Sequence, residues 1–101
     1  MTLPNLLSVD DLTLDLVSRR VTRGNQVIDL TPTEFAILTV LMRHAGRVVT
    51  RTRLAESVWQ GETSFDAINV HVGHLRKKLD GAGAGPAPIR TVRGAGYRFR
   101  P

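Results

Sequence analysis

Apolar and polar residues alternate first at Leu12-Thr13-Leu14-Asp15-Leu16. That puts three leucines on one face and Thr13 and Asp15 on the other, the pattern of a half-buried strand. Arg20-Val21-Thr22-Arg23 and Gln26-Val27-Ile28-Asp29-Leu30 flank Gly24-Asn25, and two short strands about a Gly-Asn turn read as a hairpin. The first thirty residues thus predict a small antiparallel sheet, preceded by a frayed or linker segment over residues 1–7. At Leu30 the period changes. Thr31 can cap a helix, Pro32 suits its first position, and Glu34 completes a capping box. Phe35, Leu38, Leu41 and Met42 then recur at helical spacing, and Gly46 stands where a left-handed cap would close the helix. Val48-Val49 reads as a short apolar link. Thr50 caps a second helix carrying Leu54, Ala55, Val58 and Trp59, with Arg53 at the third position where a full capping box needs Glu or Gln. After a loop over Gln60 to Ser64, Phe65 to Leu79 predicts a third helix whose Ile68, Val72, Leu75 and Leu79 share one face. Asp80 to Pro88 is a Gly-, Ala- and Pro-rich loop. Ile89 to Val92 and Tyr97 to Phe99, around Arg93-Gly94-Ala95-Gly96, form a terminal hairpin. The order of sheet, three helices and hairpin is that of a winged helix-turn-helix, an α+β fold.

Composition narrows what such a domain does. The 101 residues contain no cysteine, which excludes disulfides, thiolate metal sites and cysteine nucleophiles. No apolar run approaches the about 20 residues of a membrane span, and Met1 to Asn5 lacks the basic and apolar regions of a signal peptide. A cytoplasmic location with no membrane partner is the expectation. The net charge of +5 is not spread evenly. Residues 1–50 hold five arginines and five acids, so the whole excess lies in residues 51–101. Twelve of the fourteen basic residues are arginine, whose planar fork suits phosphate and base edges. Nucleic acid is the first partner this suggests, and an acidic protein or membrane surface the second.

The third helix and the hairpin carry the candidate chemistry. Opposite the core face of the helix lie Asp66, Val70, Gly73 and Lys77, with His74 beside them. An exposed valine and a glycine are unusual on a solvated face, where glycine costs about 1 kcal/mol relative to alanine. They fit a helix whose backbone is approached by something large, such as the major groove, where Val70 can meet a thymine methyl and His74 a guanine or phosphate. Arg76, Lys77 and Lys78 suit phosphates. An ordinary solvated face with a tolerated glycine is the competing reading. In the hairpin, Arg90, Arg93, Arg98 and Arg100 fall within eleven residues, and Arg93 at a thin Gly-Ala-Gly tip is shaped for the minor groove. The bland alternative is a charged edge strand that discourages aggregation. Gly94-Ala95-Gly96 lacks the third glycine and following helix of a dinucleotide fingerprint. His71 and His74 have no third partner at metal spacing, no nucleophile–base–acid set can be assembled, and no cofactor is implied. Asp10-Asp11 lies in a turn and lacks the later lysine of a phosphoacceptor pocket. Trp59 reads as core, with its indole N–H directed to a phosphate.

Four motifs in order then resemble a known family. Thr31-Pro32-Thr33-Glu34-Phe35, Val48-Val49-Thr50-Arg51 through Val58-Trp59, Asn69-Val70-His71-Val72 with Leu75-Arg76-Lys77-Lys78-Leu79, and Ile89 to Phe99 resemble the OmpR/PhoB-type effector domain, the DNA-binding output of two-component response regulators. The resemblance covers about residues 7–100. It implies a domain over residues 8–100 with an N-terminal four-stranded antiparallel sheet, three helices and a C-terminal β-hairpin wing. It implies that the third helix is the recognition helix in the major groove, with Val70 and His74 at base-facing positions. It also implies minor-groove entry of Arg93, and backbone phosphate contacts by Trp59 and Thr91. It implies binding to direct repeats of double-stranded DNA as a tandem dimer by a domain monomeric in solution, contact with RNA polymerase, and an N-terminal receiver domain in the full-length protein, bringing a phosphorelay. The chain departs from the family at Gly73-His74, where many members carry two basic residues, and at Asn69, where aspartate is frequent. A winged helix that binds an acidic protein, with weak unspecific DNA affinity, stays open on that departure.

Overall fold

The computed structural model describes residues 5–82 and 86–100, so parts of the expected linker and of the expected Asp80–Pro88 loop lie outside it. Four strands open the chain: β1 (Leu6–Val9), β2 (Leu12–Asp15), β3 (Val21–Arg23) and β4 (Gln26–Ile28). They pair in sequence order as an antiparallel meander. The leucine alternation does its predicted work, since Leu12 and Leu14 are buried together with Val21 and Ile28. The sheet begins earlier than the sequence boundary at residue 8. Leu6 pairs with Asp15, Leu7 with Leu14, and the Leu16 amide donates to the Asn5 carbonyl at 2.8 Å. Leu-Leu-Ser-Val has no clean alternation, and its extended form comes from backbone pairing to β2.

Helix α1 (Pro32–Arg43) starts as its sequence dictates. The Thr31 hydroxyl accepts from the Glu34 amide at 3.2 Å, and the Glu34 carboxylate accepts from the Thr31 amide at 2.9 Å. Such a cap contributes about 1 kcal/mol. The sequence does not announce that Glu34 is also buried, at 3% exposure, or that Lys78 donates to its Oε1 at 2.6 Å. Burial pushes the Glu34 carboxyl up, but the Lys78 ammonium and the Thr31 bonds outweigh it and hold the pKa below the ordinary 4.5. A carboxylate lowered in this way stabilises the fold above its unfolded pKa and loses that contribution as pH falls through the folded value. Glu34→Gln is therefore expected to lower the melting temperature at about pH 7. The gap to the unsubstituted domain should close as pH falls below the ordinary glutamate range. A gap that stays constant with pH would remove the carboxylate from the account.

Helix α1 ends at Arg43, with the His44 amide bonded back to Leu41. Gly46, expected as the left-handed cap, has φ of 84° but lies two residues past the C-cap His44. Its amide donates instead to the Phe99 carbonyl at 2.7 Å, fastening the helix exit to the end of the chain's last strand. Val48-Val49, read as a link, belongs to a strand, β5 (Val48–Thr50). Helix α2 (Arg51–Trp59) follows, its first turn capped by the Thr50 hydroxyl on the Arg53 amide at 3.1 Å. Gln60 and Gly61 turn the chain in left-handed conformation, and Ser64 caps α3 (Phe65–Asp80). Ile68, Val72, Leu75 and Leu79 of α3 are all buried, and the helix packs against α1 and α2.

The hairpin consists of β6 (Ile89–Val92) and β7 (Gly96–Phe99). The resemblance gave it two strands, but β5 makes the sheet three-stranded in the order β5-β7-β6, with Val48 opposite Arg98 and Thr50 opposite Gly96. The wing is thus anchored at its root, with β7 as the central strand and Tyr97 and Phe99 in the core.

Candidate nucleic-acid interface

The outer face of α3 matches its sequence reading in position. Val70 is 54% exposed, and His74 and Lys77 are also exposed. A Cβ built on Gly73 meets nothing within 4 Å, so packing within the domain does not require glycine there. Asp66 and Lys77 flank the row at the two ends of the helix, where their charges complement its dipole. Phe65, at the first position of α3, is 53% exposed and was not singled out by the sequence. The signal available was its place at the N-terminal end of the helix, outside the core set.

The wing stands beside this face. The Arg76 guanidinium donates to the Thr91 hydroxyl at 2.7 Å, so two candidate phosphate contacts hold each other and join α3 to β6. Arg93 is exposed in the turn beyond Val92, followed by Gly94 at φ 74°. Arg90 and Arg98 are direct cross-strand partners on the exposed side of the hairpin. Lys78 points the other way: its ammonium is bound to Glu34 on α1, which sets it apart from Arg76 and Lys77. Trp59, at the end of α2, is half-buried against the core, with its ring 5.7 Å from that of His71.

Sequence reasoning missed how a second set of residues holds α2, α3 and β7 together. Arg51, at the start of α2, donates through Nε to the Asn69 Oδ1 at 2.7 Å and lies 4.8 Å from the centre of the Tyr97 ring. The Tyr97 hydroxyl donates to the same Asn69 oxygen. Asn69 accepts from both, so it ties α2, α3 and β7 together. No local pattern could show this, because the three residues come from three separated elements. Asp10 and Asp11 receive Arg100 and Arg23 at 3.1 and 3.3 Å, so the turn that holds them is tied to the residue after β7 and to β3. His44 turns its Nδ1 to the Val40 carbonyl at 2.9 Å. Among the described residues no cluster of three metal-ligating side chains occurs, and no helix is long and apolar enough to cross a membrane.

An exposed helix face, an arginine-tipped wing and a three-point brace between them are now in place. Residues 24–99 match the family model described as "Transcriptional regulatory protein, C terminal". The chain belongs to this family, the OmpR/PhoB-type DNA-binding domains. Response regulator MprA of Mycobacterium sp. (strain KMS) is 50% identical over 92 residues, and that of Mycobacterium avium (strain 104) is 49% identical over 96. These alignments cover 89% and 93% of this chain but 40% and 42% of the relatives, so the chain spans about two fifths of their length. Among solved structures, the Klebsiella pneumoniae RstA DNA-binding domain, determined in complex with the RstA box, superposes with a TM-score of 0.81 at 34% identity. The match covers 94% of this chain and 96% of that one. The DNA-binding domain of CpxR from E. coli gives 0.80 at 38%, covering 94% and 95%. The OmpR/PhoB fold expected from the sequence is therefore the fold observed, and the chain is a DNA-binding domain of that type.

Proposed function

We propose that this domain reads double-stranded DNA by placing α3 in the major groove while the wing carries Arg93 into the adjacent minor groove. The observation that carries this is the Arg76–Thr91 bond, which ties the α3 face bearing Val70, Gly73, His74 and Lys77 to the arginine-tipped hairpin. The major groove accepts a helix, and the narrow minor groove attracts arginine. Val70 supplies apolar contact to a thymine methyl, His74 a polar contact, and Arg76 and Lys77 phosphate contacts, with Thr91 and Trp59 at the flanks. Lys78 takes part only by leaving Glu34. In the full-length protein an N-terminal receiver governs the domain by phosphorelay in the cytoplasm. The isolated domain is a monomer that pairs in tandem on direct repeats, where it meets RNA polymerase. No catalytic step is assigned to it.

Binding to a randomised duplex pool, followed by fluorescence anisotropy and sequencing of the bound fraction, tests the reading. About five neutralised phosphates give a log–log salt slope near −4 to −5, from about 0.9 per phosphate. A recovered direct repeat with half-sites about one helical turn apart supports tandem recognition. A flat salt response, or equal competition by every duplex, favours an acidic protein partner instead. Arg93→Ala is expected to weaken DNA binding on the order of tenfold. Its stability should stay within about 0.5 kcal/mol, as for a surface position. Unfolding of this variant would mean that Arg93 is not an exposed tip.

A further inference from the structure

Arg23 is buried to 2% exposure on β3, a place where an arginine is almost never found without partners. Each of its three nitrogens donates a hydrogen bond. Nη1 donates to the Leu79 carbonyl at 2.7 Å, Nη2 to the Pro86 carbonyl at 3.0 Å, and Nε to Asp11 at 3.3 Å. Leu79 lies in the last turn of α3, where a cation suits the dipole, and its carbonyl also accepts the Ala82 amide at 3.2 Å. Pro86 stands just before β6. One rigid guanidinium therefore grips the chain where the recognition helix ends and again where it enters the wing. Asp11, on the turn between β1 and β2, holds the guanidinium from behind.

We propose that Arg23 is a positioning residue for DNA recognition, setting the separation between α3 and the wing from a site that touches neither groove. The inference rests on the reading that both elements bind DNA. Its geometry follows from the fork. The Arg76–Thr91 bond joins helix and wing on the outer side, and Arg23 joins the end of the same helix to the segment leading into the wing at the back. Lysine offers a point charge and cannot present two parallel donors to two carbonyls, so Arg23→Lys keeps the charge and loses one of the two grips.

The test compares Arg23→Lys with the unsubstituted domain, with and without Arg93→Ala. Binding to the randomised duplex pool is followed by anisotropy, and amide hydrogen exchange is recorded without DNA. Arg23→Lys is expected to lower affinity about tenfold when the wing is intact and less than about twofold in the Arg93→Ala background, since two residues acting through one wing are not additive. Exchange should quicken in β6 and its approach while the amides of α1 keep their protection. Equal affinity losses in both backgrounds, with exchange quickening throughout the domain, would overturn the proposal and leave Arg23 as a stabilising residue only. Should Arg93→Ala leave DNA binding unchanged, the wing reading fails by itself. Exchange then decides for Arg23: quickening confined to β6 upholds the positioning, and uniform quickening overturns it.

Discussion

Gly96→Ala is expected to destabilise the domain by at least about 3 kcal/mol, through strain and overpacking together. Gly96 begins β7 with φ of 155°, a conformation side chains rarely adopt. A Cβ there would press into the carbonyl oxygen of Val49 and come within 2.9 Å of the Thr50 Cα. Both obstacles are backbone and cannot swing aside. Relief requires parting β7 from β5, which breaks the pairing of Thr50 with Gly96 and loosens Tyr97. For a domain of this size the melting temperature should fall by roughly 12 °C or more. Gly94→Ala is the control. Gly94 also has positive φ, at 74°, but a Cβ there meets nothing within 4 Å, so its cost is the backbone term alone, about 1 kcal/mol. Thermal unfolding of the two variants, followed by circular dichroism, separates the cases. Equal shifts would mean that the close approach of β5 plays no part.

Leu75→Ala is expected to cost about 2–5 kcal/mol, the range for truncating a core leucine. Leu75 is fully buried and lies in the middle of the α3 stripe, where α1 and α2 both pack. The cavity would open beneath the recognition helix, so the variant should also bind DNA less tightly at temperatures near its lowered midpoint. Val70→Ala, on the opposite and exposed face, should change stability by no more than about 0.5 kcal/mol. If chemical denaturation gave the two variants the same midpoint, the division of α3 into a core face and a reading face would be wrong.

What the sequence made legible was local. The capping box at Thr31 and Glu34, the cap at Thr50 and the 4-3-4 spacing of Ile68, Val72, Leu75 and Leu79 are written in adjacent residues, and each appears as expected. What stayed hidden was pairing at a distance. Val48–Thr50 is three residues long and becomes a strand only because β7 lies beside it. Leu6–Val9 likewise needs β2. Arg23 was within reach of the alternation rule, since Val21 and Arg23 fall on the same side of a strand and Val21 is buried. Carried to its end, the alternation turns an arginine inward, as the structure shows. The Arg51–Asn69–Tyr97 brace had no such signal, because three elements converge there only in the folded chain. For the candidate reading residues the sequence supplied the face, and the structure adds that Arg76 is tied to the wing and Lys78 to α1.

The position of β7 at the centre of the C-terminal sheet has a consequence for how the protein is born. Val48 and Arg98 are partners separated by about fifty residues, and Phe99 fills the core beneath helices synthesised long before it. Until β7 is made, β5 has no strand to pair with, and the core lacks Tyr97 and Phe99. The N-terminal meander, whose strands pair with their neighbours, can form as it emerges. The reading head cannot, because contacts so distant in sequence must await the last strand. The C-terminal sheet, and with it the anchoring of the wing, therefore closes later than the N-terminal meander, once β7 is present to pair with β5.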